Sequence, residues 1–285
     1  MTELSTERRM WSLFEPVHAV TYFASDALGA FEQAGLRGFW RGYFAGRCAP
    51  LGAVNAGPVI AAFYGFAPRM VIRALPDVWT RITPEAALEA RRTGSRRTLA
   101  TAVADLPGRD VAEAAGLLRA AAEPVDVAGR VLGAANAALP WPEDPVDVLW
   151  HAATILREHR GDGHVAALLM AEVGGCESNV WRVALRDGDG RDFYQPARGW
   201  TDDEWAAALD RLRTRGWVDE DLKATGAAHS AYDSIEGHTD RLASGPWKAL
   251  GPAATARCAE LLYPIAVRAS RLLRHPNPIG LPELR

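Results

Sequence analysis

Apolar residues recur along this chain at spacings of three and four, the period of one face of a helix. Val146, Leu149, Trp150, Ala153 and Leu156 show it plainly, with Asp144 placed to cap the helix and Pro145 at its first position. The same period predicts helices almost throughout residues 1–140. Pro16 is expected to open a helix through His18 and Tyr22, and Ser25 to cap one that ends at Gly35. Thr83-Pro84-Glu85 starts another, reaching about Arg92. The run from Asn55 to Pro76 reads as two core helices broken at Ala67-Pro68.

Three segments depart from the plain period. "HRGDGH", His159 to His164, places His159 and Arg160 in the last turn of one helix, Gly161 just past its end and Asp162 as the cap of the next. A turn between two helices is expected there. "RDGDGRDF", residues 186–193, has Arg198 where a calcium loop needs its glutamate, so it predicts a tight turn between extended segments. Gly38, Gly42 and Gly46 fall at i, i+4 and i+8 and would form one smooth stripe on a helix. Each interior glycine costs roughly 1 kcal/mol against alanine, which calls for close helix packing or for a ligand lying on the stripe.

Prolines 140, 142 and 145 in "ALPWPEDP" make a stiff connection, which divides the chain into an N-terminal helical domain, 1–140, and a second domain, 145–285. The 285 residues suffice for real cores, and a net charge of −3 supplies no global field for nucleic acid or an acidic membrane. Of 32 basic residues only Lys223 and Lys248 are lysines, a skew that looks like the GC-rich coding bias of actinobacteria. Cys48, Cys176 and Cys258 lie far apart, against a disulfide framework or a cysteine-rich zinc site. The polar start before Trp11 is unlike a signal peptide, and no run of 18 apolar residues occurs, so a cytoplasmic protein with no membrane partner is expected.

The segment Arg198 to Ala243 contains "LRTRGWVD", then "LKATG", then a long helix "AAHSAYDSIEGHTDRL". This order resembles the end of a MarR-type winged helix: recognition helix, wing and dimer-side helix. With "EPVHAVTYF", "RGYFAGRCAPLG" and "LREHRGDGHVAAL", the whole chain is similar to a family of actinobacterial helix-turn-helix-like proteins without a settled activity. The resemblance implies a mainly α fold of two winged-helix-related halves with a few short strands, and it allows a homodimer. Asp202, Asp203, Glu204 and Asp210 make the would-be recognition helix acidic, and "WVDED" makes its wing acidic, so specific DNA binding is not expected.

No HExxH, GxSxG, GxGxxG or P-loop occurs, and no cofactor or metal is assigned. The candidate chemistry rests on His18, His159 and His164 with Asp162, because histidine is matched to proton transfer near neutral pH and a carboxylate can fix its tautomer. His151, His229, His238 and His275 have no such support. Arg41 and Arg160 are candidates for holding an anionic group, with Trp40, Gly42, Tyr43, Phe63 and Tyr64 lining a pocket between the halves. The expected function is binding of a small organic molecule, with cofactor-independent acid–base catalysis on it. A ligand-responsive MarR-type regulator and a metabolite-sequestering resistance protein are the alternatives.

Overall fold

Ser5 accepts the backbone N–H of Arg8 at 3.1 Å and so caps α1 (Thr6–Phe23), the first helix of the computed structural model, which describes residues 4–273 and residue 284. There follow α2 (Ser25–Gln33), α3 (Phe39–Cys48), α4 (Ala56–Ala62), α5 (Pro68–Ala74), α6 (Pro84–Val103), α7 (Gly108–Ala122) and α8 (Val131–Ala137). Beyond the proline-rich stretch lie α9 (Pro145–Met170), α10 (Gly175–Ala184), α11 (Arg191–Arg198), α12 (Asp202–Thr214), α13 (Gly226–Leu242), α14 (Gly245–Leu250) and α15 (Pro252–Arg271). The described residues are mainly helical, as the apolar period predicts.

Three apolar clusters hold these helices together. Phe14, Leu99, Leu118, Leu149, Ile155 and Leu262 belong to the first, which unites α1, α6, α7, α9 and α15. It draws on residues from both sides of the proline-rich stretch. Phe31, Phe44, Phe63, Leu75 and Ala87 belong to the second, from α2 to the start of α6. Leu168, Val180, Trp181, Trp205, Leu212 and Ile235 belong to the third, where the end of α9 meets α10, α12 and α13. At 26 residues α9 is roughly 39 Å long and serves both the first and third clusters.

Asp144 caps α9 and Pro145 stands at its start, and Thr83 caps α6, as expected. The expected break at "HRGDGH" is corrected: α9 runs unbroken through it. Its period continues through Arg160, Gly163 and Ala167, and the glycine has a packing reason. A Cβ on Gly163 would stand 2.7 Å from Nη1 of Arg130 and 3.2 Å from Cβ of Leu242. Asp162 therefore caps no following helix; its Oδ2 accepts the backbone N–H of Gly133 at 2.8 Å, in the first turn of α8.

Other boundaries also move. Pro16 lies inside α1, and α6 continues to Val103 because the face Ala87, Ala90, Gly94, Leu99 and Ala102 stays buried beyond Arg92. Gly38 is no part of a stripe: it precedes α3 with φ +87°. Gly42 and Gly46 do share a face, and both meet the ring of Phe31 on α2, where a Cβ on Gly42 would already be 3.0 Å from the ring. The segment 186–193 does turn, with Asp187, Gly188 and Gly190 at positive φ, but it joins α10 to α11 and not two extended segments.

The expected short strands are absent among the described residues. Between α12 and α13 a single antiparallel bridge joins Val218 to Ala224. The intervening residues are used in a turn, where Lys223 O accepts from Asp219 N at 3.0 Å and Asp219 O from Leu222 N at 3.2 Å. No length remains for a ladder. His275 lies outside the described residues, among which no helix is long and apolar enough to cross a membrane.

Candidate functional site

Residues 157–160 of α9, "REHR", carry charge into the interior and organise the site from below. Glu158 accepts Nε and Nη2 of Arg47 from α3, at 3.0 and 3.1 Å, and Nη1 of Arg157 at 2.8 Å. Burial alone would raise its pKa, but the guanidiniums of Arg157 and Arg47 outweigh that and hold the carboxyl well below the usual range. Glu15 of α1 accepts the indole N–H of Trp11 at 3.0 Å and Nε of Arg157 at 3.3 Å. Burial pushes this second carboxyl upward, against the pull of Arg157.

Above this layer opens a cavity of about 520 Å³. Its walls come from α1 (Arg8, Trp11, Glu15), the end of α4 with the following turn (Phe63, Tyr64, Phe66), α9 (Arg157, Arg160, Asp162, His164), α10 (Trp181, Arg182) and α13 (Tyr232, Ile235, Glu236). Arg47, Arg186 and Arg198 complete a set of seven arginines, facing three carboxylates: Glu15, Asp162 and Glu236. Arg198 sits over the ring of Phe66 at 4.4 Å, and burial lowers its pKa to about 10. Arg186 donates to the hydroxyl of Tyr194 at 2.9 Å.

One side of the cavity is an ion-pair lattice between α9, α1 and α13. Nη2 of Arg160 lies 3.2 Å from both Glu236 and Asp240, and the guanidinium covers the ring of Trp11 at 4.8 Å. Arg8 pairs with the same two carboxylates. His164 lies beside them. Its Nδ1 is 3.0 Å from Oγ1 of Thr239, whose own proton goes to the carbonyl of Ile235 at 2.8 Å. The threonine oxygen must then accept, so the imidazole carries its proton on Nδ1 and Nε2 is an acceptor. Burial lowers the pKa of His164 to about 4, which keeps the ring neutral at physiological pH. Burial raises Asp162 to about 6.

Of the residues singled out by sequence, Arg160, His164, Asp162, Phe63 and Tyr64 line this cavity. Tyr64 also donates its hydroxyl to the carbonyl of Val173, tying the α4 end to the start of the C-terminal helices. His18 and His159 lie elsewhere. His18 is buried beneath the site, its Nδ1 3.0 Å from Oγ1 of Thr154, and burial holds its pKa well below the ordinary value. His159 faces α8, with its carbonyl accepting from Arg130 at 2.6 Å and its pKa lowered to about 4 by burial. Arg41 is exposed and reaches the carbonyl of Arg37. Trp40 and Tyr43 belong to an aromatic cluster with Phe44, Phe63 and Phe66, and Tyr43 accepts from Arg47 at 3.1 Å. Gly42 faces Phe31.

Sequence reasoning missed Arg8, Trp11 and Glu15, and likewise Arg157, Arg182, Arg186 and Trp181. Their spacings were visible: 8, 11 and 15 follow one helical face, and so do 157, 160 and 164, and 182 and 186. Arg91, Arg92, Arg96 and Arg97 make a compact basic run on α6, but most of its charge is engaged. Arg92 and Arg96 pair with Glu89, Asp144 and Asp147, and Arg91 is buried against the carbonyl of Gly46 and the side chain of Asn136.

A family model described as a helix-turn-helix family matches residues 7–272. No curated protein and no solved structure matches the chain.

Proposed function

The chain belongs to that helix-turn-helix family, and from this premise we propose a small-molecule-binding protein on a helix-turn-helix scaffold that does not read DNA sequence. The observation that carries the reading is the cavity of about 520 Å³ with its aromatic and arginine-rich walls, a size and lining suited to one small organic molecule. In this proposal α10, α11 and α12, with the Val218–Ala224 bridge and α13, are a winged helix of MarR type, and the N-terminal half is a related unit. His164 and Asp162 then carry acid–base chemistry on the bound molecule: both are on α9 and in the cavity wall, one neutral with Nε2 as acceptor, the other titrating near pH 6.

The outer face of α12 speaks against sequence-specific DNA recognition. Its exposed N-terminal end presents Asp202 and Asp203, which repel phosphate. Its cations already have partners, Arg211 on Glu177 and Arg213 on Asp210, and just past its end Arg215 is on the carbonyls of Ala171 and Glu172. A ligand-responsive regulator is the second reading, favoured because α10 both walls the cavity and packs against α12, so an occupant would bear on the helix-turn-helix segment. Sequestration without turnover is the same binding without the chemistry.

The test is a thermal shift with a metabolite extract, run on the wild type and on Val165→Trp, which puts a bulky ring into the cavity from another α9 residue of its wall. A rise in melting temperature for the wild type alone supports the reading. Equal behaviour of the two proteins defeats it. Recovery of a reproducible operator from genomic fragments would defeat the DNA part and favour the regulator.

A further inference from the structure

The charge and hydrogen-bonding state of the cavity wall bear on the chemistry of its occupant. Even with Glu158 and Asp240, which pair with four of them from just behind the wall, the seven arginines face only five carboxylates, so the wall is cationic. Two of its hydrogen-bond donors also lack an acceptor: Nε of Arg160, in a residue 8% exposed, and Nε1 of Trp181, in one 3% exposed. Arginine Nε–H and the indole N–H can only donate. Buried donors are normally satisfied, and those that are not mark places where a partner belongs. Guanidiniums bind phosphate and carboxylate with particular strength, because their planar fork matches those oxygens.

We propose that the ligand carries an oxyanion, a phosphate monoester or a carboxylate, which accepts hydrogen bonds from Arg160 and Trp181 while its organic body lies on the aromatic wall. This rests on the reading that the cavity holds a small organic molecule, and it adds the charge of that molecule. Glu236 is the natural competitor, since its carboxylate already lies 3.2 Å from Arg160 in the same wall. Arriving oxygens must share Arg160 with it, so the carboxylate sets the affinity for the anion.

Two dyes with the same ring system test the claim on the full-length protein: 1-anilinonaphthalene-8-sulfonate, which carries an oxyanion, and N-phenyl-1-naphthylamine, which does not. The sulfonate dye is expected to bind one per chain and about tenfold or more tighter than the uncharged one, the size of one charge-assisted contact. Trp181→Phe keeps an aromatic face but removes the N–H together with part of the indole's apolar volume, a loss both dyes feel, so it should weaken the sulfonate dye by a clearly larger factor than the uncharged one. Glu236→Gln should tighten it, an effect that a merely structural role for Glu236 would not produce. Displacement by phenyl phosphate or by benzoate supports the proposal and tells the two oxyanions apart.

Equal affinity for both dyes, or displacement by neither anion, overturns the oxyanion and leaves the cavity reading standing. Binding of neither dye overturns both. Val165→Trp should abolish dye binding; a sulfonate dye that binds it unchanged sits outside the cavity, which overturns the proposal.

Discussion

Asp162 on α9 accepts the backbone N–H of Gly133 on α8 at 2.8 Å, and Gly133 has no room for a side chain, since a Cβ there would stand 3.1 Å from Cα of His159. The two helices meet backbone to backbone, and the carboxylate meets one of the donors that the first turn of α8 cannot satisfy internally. The aspartate that the sequence offers as a cap is therefore a cap, but for a helix some thirty residues earlier in the chain.

Replacing it separates that duty from its charge. Asp162→Asn keeps an oxygen acceptor and Asp162→Ala does not, so urea denaturation should find the alanine variant less stable than the asparagine one by about 1–2 kcal/mol. Equal stability of the two would mean that the bond to Gly133 contributes nothing.

Glu158 should prove the least replaceable side chain of the layer beneath the cavity. Glu158→Gln leaves Arg47 and Arg157 buried without the carboxylate both contact, and breaking a buried pair in this way costs about 3–5 kcal/mol. Urea unfolding measures it; a loss under 1 kcal/mol would contradict the placement of this network in the interior.

Stability should fall on mild acidification. His151, His159 and His164 are each lowered to about 4 by burial, and burial holds His18 well below its ordinary value too. Above the unfolded value near 6.5 neither state is protonated. As pH falls from there towards 4, the unfolded chain takes up protons that the native imidazoles refuse, so the native state loses ground. Asp162, raised to about 6, acts in the opposite sense between about 4 and 6, where the folded state holds a proton that the unfolded chain has lost. Glu15, pushed upward by burial, acts in the same sense as Asp162, so four groups oppose two, and the melting temperature should drop between pH 7 and pH 5. A rise over that range would contradict the burial of the histidines.

The two histidines of "HRGDGH" should part company on mutation. His164 lines the cavity and is partly exposed, so His164→Ala should change the melting temperature little while weakening the bound ligand or its turnover. His159 is buried against α8 and outside the cavity wall, so His159→Gln should lower the melting temperature and spare binding. Thermal unfolding and ligand affinity on both variants decide it; loss of binding in His159→Gln alone would reverse the assignment.

Much of the helical framework was legible in sequence, because it rests on local chemistry. Asp144-Pro145 and Thr83-Pro84 start helices by capping and by the fixed φ of proline, and the apolar period did the rest. What misled were residues whose reason is tertiary. Gly161 and Gly163 look like a helix end, yet Gly163 is small because Arg130 and Leu242 press on it from other elements. Gly42 and Gly46 form the expected pair, and Phe31, which explains them, lies on another helix. The cavity was half legible for the same reason. His164 and Arg160 drew notice through an unusual local string, whereas nothing in the sequence around Trp11 or Trp181 singles them out. Only the packing of α1 and α10 against α9 brings those two to one wall.

The central claim is that the cavity between α1, α9, α10 and α13 holds one small organic molecule. Native mass spectrometry of the protein purified from its own host, with Val165→Trp prepared in parallel, tests it most directly. The account predicts a discrete added mass on the wild type, released on denaturation and missing from the variant. Wild type and variant both at the bare chain mass, or both carrying the same adduct, would contradict it.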